Sequence, residues 1–245
     1  MNKTLMIASG VALFAGCVSV ASQSSAQLAG GYGDGETRTY DVAPFTGLDV
    51  ATGIQVVFTT GGVQSVVAEN ENGVWDKLEV KVKDDTLHLQ RKYQSWGWGK
   101  KKEQYKVTVT APQIDRVETS SGSSVKGSGV SGDRVVIDTS SGSSVRISDI
   151  SAGELTLDTS SGASVTLSGS CSNVSADTSS GSSLRAQDMV CNAADLEASS
   201  GSSLSITATE RVNADASSGS SINVSGSPSD REIDKSSGAS VNIRS

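Results

Sequence analysis

The chain has 245 residues, a formal net charge of −7, 36% hydrophobic residues, 26 Gly, 3 Pro and only 4% aromatics. With 46 Ser beside the 26 Gly, these two types fill 72 of 245 positions. Collagen is excluded, because it needs Gly at every third place and much Pro, and a mucin-like stalk wants Pro among its Ser and Thr. The one histidine, His88, excludes a multi-His metal centre. A disordered Ser/Gly tract fits the composition, so the order of the apolar residues decides.

At the N-terminus, Lys3 and the apolar run from Thr4 to Gly16 read as an export signal, too short to span a bilayer. Ser24-Ser25-Ala26 suits cleavage before Gln27, which removes residues 1–26. A competing route reads Phe14-Ala15-Gly16-Cys17 as a lipobox, with Phe in place of the usual Leu. It removes residues 1–16 and lipidates Cys17. Either route places the chain in the periplasm, at the outer membrane or on the cell surface. Residues 27–37 are expected to form a flexible N-terminal segment.

Period-two alternation then marks strands at Ile54–Phe58, Leu78–Val82, Leu87–Leu89 and Val107–Val109. Gly61-Gly62, Asn72-Gly73 and Asp84-Asp85 punctuate them as turns. Residues 38–113 are expected to form the first rungs of one β-domain over 38–244, with a separate small β-domain as the alternative. Between two of these strands lies a basic loop carrying Trp96, Trp98, Lys100, Lys101 and Lys102. Residues 77–106 hold nine Lys/Arg against four Asp/Glu, a local +5. Tryptophan with clustered lysine suits a glycan, an envelope or membrane surface, or a protein partner. The bland reading has the indoles folded over an open rung and the lysines merely solvated. Nucleic acid is not expected, because phosphate binding needs a larger basic surface.

Residues 114–244 hold seven copies of S-S-G-[SA]-S-[VLI], with glycines at 122, 142, 162, 181, 201, 219 and 238. Each copy carries two short alternating runs, which 18–20 residues per coil arrange most economically as a β-solenoid. Propeller blades need about 40 residues. Hairpins want Asn-Gly or Asp-Gly turns. Buried Val, Leu and Ile in each coil can offset the ordering entropy of so much Ser and Gly.

Four residues before each repeat glycine stands an acid: Glu118, Asp138, Asp158, Asp177, Glu197, Asp215 and Asp234. Stacked coils turn these into a carboxylate ladder. The structural reading has each carboxylate solvated and hydrogen-bonded to the following Ser turn; the alternative is a column of Ca²⁺ sites. The G-G-x-G-x-D calcium repeat is absent. Cys171 and Cys191 occupy one column of adjacent coils, within disulfide reach, so an inter-rung bridge is expected. Thr119, Thr139, Thr159 and Thr178 begin a possible outward Thr array of the ice-binding kind, which Ala198, Ala216 and Lys235 interrupt. His88, between Leu87 and Leu89, reads as an outward strand residue, and no G-x-S-x-G elbow accompanies it.

Phe45-Thr46-Gly47-Leu48-Asp49-Val50, Gly53-Ile54-Gln55-Val56, Leu87-His88-Leu89 and Val107-Thr108-Val109-Thr110-Ala111-Pro112, followed by D/E-x-S-S-G-[SA]-S repeats, resemble one family. This is the auto-transporter adhesin head GIN domain family of bacterial secreted proteins, and the resemblance covers roughly residues 38–244. It implies an all-β, right-handed single-stranded parallel β-helix of pectin-lyase-like architecture, with no enzyme chemistry and no cofactor. Adhesion is the role proposed for the family. The expectation is therefore a non-catalytic, exported cell-envelope adhesin or surface-binding module. The alternatives are a β-helical polysaccharide-active enzyme and a structural envelope spacer. The ligand and the oligomeric state are not legible in the sequence.

Overall fold

The computed structural model describes residues 27–28, 30–32, 36–92 and 103–245. Among these the regular elements are all strands. Nine precede the repeats: β1 (Gln27–Leu28), β2 (Gly30–Tyr32), β3 (Thr37–Asp41), β4 (Gly47–Val50), β5 (Gln55–Thr60), β6 (Ser65–Glu69), β7 (Leu78–Lys83), β8 (Thr86–Arg91) and β9 (Lys106–Ala111). The repeats supply β10 (Arg116–Thr119), β11 (Ser124–Ser128), β12 (Ser131–Thr139), β13 (Ser144–Thr159), β14 (Ser164–Thr178), β15 (Ser183–Ala198), β16 (Ser203–Ala216), β17 (Ser221–Ser225), β18 (Asp230–Lys235) and β19 (Ser240–Arg244). From β10 onward every pairing is parallel, coil upon coil. This is a β-solenoid.

Each coil was expected to hold two short strands; β13 to β16 instead run unbroken for 14 to 16 residues. Parallel pairing continues round the second bend, which therefore needs no turn of its own. Differences in repeat length are absorbed there. Register shifts fall between Ile147 and Ile150, between Thr166 and Ser168, and between Ala186 and Val190.

The Ser-Ser-Gly corner is a two-residue turn with both central residues left-handed, Ser141 at φ 53° and Gly142 at φ 69°, as in type I′. The amide of Ser143 closes it by donating to the Ser140 carbonyl at 3.1 Å. The Gly142 amide also donates to the Ser161 carbonyl of the next coil at 3.0 Å, so the corners themselves form a ladder. A serine tolerates this conformation less well than Gly or Asn, and the two stacked neighbours hold it there.

Where a serine follows the corner glycine it is buried; the Ser143 hydroxyl has no partner there, but most of the others serve the backbone. Ser202 Oγ donates to the Thr178 carbonyl at 2.6 Å and Ser220 Oγ to the Ala198 carbonyl at 2.8 Å. The Thr column faces inward rather than outward: Thr119, Thr139, Thr159 and Thr178 are all buried, and their hydroxyls have no hydrogen-bond partner. Ala198 and Ala216 continue that column as core residues, so there is no outward Thr array. Gly127 interrupts a column otherwise filled by Ile147, Leu167, Ala186, Ile206 and Val224. Its register partner Phe58 fills the space, because a Cβ on Gly127 would collide with the Phe58 ring.

The preceding strands extend the same stack out of chain order. β4 and β5 pair in parallel with β10 and β11, and on their other side with β8 and β9. The antiparallel strands β7 and β6 then cover β8 and β9, and β1 and β3 lie beyond them. At the opposite end β18 and β19 pair on one side only among the described residues. There Ile233 is 44% exposed, although its register partner Ala214 is buried.

Candidate functional site

The carboxylate ladder is real, and longer than the repeats. Glu118, Asp138, Asp158, Asp177, Glu197, Asp215 and Asp234 stand in register, and Asp49 continues the column beside Glu118. His88 ends it, with Nδ1 2.7 Å from the Asp49 carboxylate. His88 thus lies outward, at the basic end of an acidic row. The repeat carboxylates do not accept from the serine turns; Glu118 takes Arg116 at 3.3 Å. The serines after the corner glycines are buried, and Ser182, Ser202 and Ser220 donate to backbone carbonyls instead. Partial burial, with repulsion from Asp158 and Glu118, raises the pKa of Asp138 above the usual carboxylate range; burial with Asp158 does the same to Asp177. Among the described residues no three His, Cys, Asp or Glu groups converge as a metal centre would require.

The wall beyond the corner has the opposite character. Two and four residues after each repeat glycine, the outward columns read Ser124, Ser144, Ser164, Ser183, Ser203, Ser221, Ser240 and Lys126, Arg146, Thr166, Arg185, Ser205, Asn223, Asn242, of which Ser205 is covered by its neighbours. None of these fourteen is acidic and three are cations. The matching columns four and six residues before the glycine hold nine carboxylates and one cation, Arg116. A shallow groove of about 300 Å³ follows the second wall, lined by Lys126, Arg146, Ser148, Thr166, Ser168 and one acid, Asp188. Sequence reading missed this column; the signal was the residue between two buried apolar positions in each coil.

A third feature lies at the N-terminal end. Asn70 donates to the Glu103 carboxylate at 3.2 Å and the Gln104 carbonyl at 2.9 Å, while its Oδ1 accepts from the Asn72 and Val74 amides. Asn72 adds a bond to Glu103 at 3.0 Å, and Lys77 stands 3.9 Å away. These donors, Asn72 first, hold the Glu103 carboxyl below its usual range. Tyr105 beside it donates to the Val74 carbonyl at 2.6 Å, and burial, reinforced by Glu103, pushes its phenol up to about 12. A groove of about 540 Å³ runs past this cluster, between Glu36, Gln55, Glu69, Asn72 and Lys106. The cluster fixes the chain at the C-terminal root of the basic Trp segment. Trp96, Trp98, Lys100, Lys101 and Lys102 themselves lie outside the described residues, as does Cys17.

Cys171 and Cys191 are register partners in β14 and β15, with Cα atoms 4.6 Å apart, and are joined by a disulfide. The bridge lies in the core between two coils. Its role is to tie the stack.

Among curated proteins none matches this sequence. Solved structures of the same fold include a "putative adhesin" from Bacteroides fragilis, 21% identical with a TM-score of 0.75, covering 85% of this chain and 95% of that one. A "Putative lipid binding protein" from Parabacteroides distasonis is 15% identical with a TM-score of 0.64, over 87% of this chain and 98% of the other. A "putative adhesin" from Parabacteroides merdae is 13% identical with a TM-score of 0.63, over 87% and 97%. At such identities the likeness is one of fold. The family model described as "Putative auto-transporter adhesin, head GIN domain" matches residues 44–228, which takes in β4 to β17, both charged walls and the disulfide, and the chain belongs to that family.

Proposed function

We propose that the protein is a non-catalytic, exported binding module of the adhesin type, acting at a cell envelope or cell surface. One observation carries this reading: the outward side chains form ruled columns, acidic in every coil on one wall and hydroxyl-rich with three cations and no acid on the other. Such a surface matches an extended partner. Enzymes instead gather a few polar groups in a concave pocket. The Asn70–Glu103 cluster supports a second contact region in this proposal, because it fixes one root of the segment that carries Trp96, Trp98, Lys100, Lys101 and Lys102.

The test is binding of residues 27–245 to bacterial and host cells, to envelope fractions and to a glycan panel. Saturable binding without release of sugar is expected, and the Trp96→Ala/Trp98→Ala variant should weaken it. Release of reducing or unsaturated sugars would turn the reading towards a polysaccharide-active enzyme. Absence of binding on every surface would favour a spacer.

A further inference from the structure

We propose that the column Lys126–Arg146–Arg185 is a binding site for an extended acidic polysaccharide lying along the solenoid axis. This rests on the surface-binding reading above and names the ligand class for one wall. Register places Lys126 beside Arg146, Arg146 beside Thr166, and Thr166 beside Arg185. Strand spacing of about 4.8 Å puts the first two cations one step apart and the third two steps further on. A linear polyanion meets such a row with charge after charge, where a compact anion meets one cation only.

These cations are available. Lys126 and Arg146 are exposed and have no ion-pair or hydrogen-bond partner among the described residues, and Arg185 makes only a 3.4 Å contact to Ser164 Oγ. Three other arginines of the coils are neutralised: Arg116 by Glu118, Arg134 by Glu154 and Arg211 by Asp195, while Arg231 in the last coil donates to the Pro228 carbonyl. The difference follows the wall and not the residue type. On the acidic side those three guanidinium groups find a carboxylate at or near their own position. On the serine side the columns offer none. The same acidic wall repels a polyanion, so the field of the whole molecule steers it to the opposite face.

The surroundings select among polyanions. Ser124, Ser144, Ser164, Ser148, Thr166 and Ser168 line or flank the row with hydroxyls, which suit the hydroxyls of a sugar chain. Neither outward column contains an aromatic residue, so bases have nothing to stack upon. The nearest exposed apolar side chain in the column is Val57, 38% exposed, too little to enter a lipid layer.

The experiment measures binding to immobilised polygalacturonate and chondroitin sulfate, with dextran and phosphatidylglycerol vesicles alongside. Saturable binding to an acidic polysaccharide, weakened by salt and absent on dextran, is expected. The triple variant Lys126→Ser/Arg146→Ser/Arg185→Ser should lose at least about tenfold in affinity. Serine already holds this position at Ser205, so an unchanged melting temperature is expected for the variant. Asp158→Ser on the other wall should bind as well or better. Binding unaffected by the triple substitution, or a preference for the vesicles, overturns the proposal. If the variant and the parent adhere equally to cells, the column fails while the adhesin reading stands; if the parent binds neither cells nor polysaccharide, both fail.

Discussion

At the scale of the residue, most positions are set by a column and a few by one neighbour. Gly127 is of the second kind. Its backbone is ordinary strand, and glycine stands there because the Phe58 ring occupies the volume of an absent side chain. Gly127→Ala should cost about 1–3 kcal/mol by overpacking. Combining it with Phe58→Leu should recover part of that loss, which urea melts of the two singles and the double will show; strict additivity would refute the contact. Asp138 and Asp177 are set by partial burial and then by repulsion along the ladder. Because burial and then neighbouring carboxylates raise their folded-state pKa, the neutral form favours the fold. Their contribution is full below the ordinary Asp value of about 3.9 and is lost as pH rises through the raised value. Asp138→Asn should therefore raise the melting temperature at neutral pH, with the gain vanishing in acid. An Asn variant no more stable at neutral pH would refute this account of burial and repulsion.

At the scale of the element, the coil is one long strand and one tight corner. The alternation of apolar residues was plain in the sequence, yet it suggested two strands because the mid-coil bend breaks the alternation. Pairing resumes on both sides of the bend, with the register shift taken up within it, because the coils above and below bend with it. The Thr column shows a similar limit. Threonine outside a known register reads as polar and outward, but Thr139 shares its parity with Ile137 and Val135 and is buried with them. The disulfide belongs to this scale too. It joins cysteines 20 residues apart, and closing a loop of that order contributes about 3 kcal/mol in the chain-entropy account. Cys171→Ser/Cys191→Ser should lose that stability in denaturant titrations with little change in the far-ultraviolet spectrum, because adjacent coils already pair around the site. A loss below a few tenths of a kcal/mol would mean the stack alone fixes this contact.

At the scale of the molecule, the two ends differ. Antiparallel strands β6 and β7 cover the first coils, whereas β18 is exposed throughout and places Arg231 and Lys235 in columns that hold Val212 and Ala216 one coil earlier. Charges turned towards the interior are a known way of making an edge unattractive to further strands. In a solenoid each coil is stabilised by its neighbours, so a coil with one neighbour opens first. Hydrogen exchange should find residues 230–244 least protected and 144–216 most protected; equal protection along the stack would show that this rung is held from outside.

The amino-acid sequence by itself determined the coil, its period, its inward Val, Leu and Ile, and the cysteine and carboxylate columns. Each depends on residue type recurring at a fixed spacing, and stacking at one rung per repeat turns spacing directly into adjacency. Only the tertiary structure decided which wall each polar column faces, where the first strands enter the stack, and which charges remain unpaired. Those outcomes depend on contacts between residues far apart in the chain: Asp49 beside Glu118, Phe58 beside Gly127 and β4 beside β8. The excess of serine illustrates both halves. Its period was legible from the sequence, but the division into corner, core hydroxyl and outer wall arises only when coils close on one another and bury one serine of the corner while leaving the others outward.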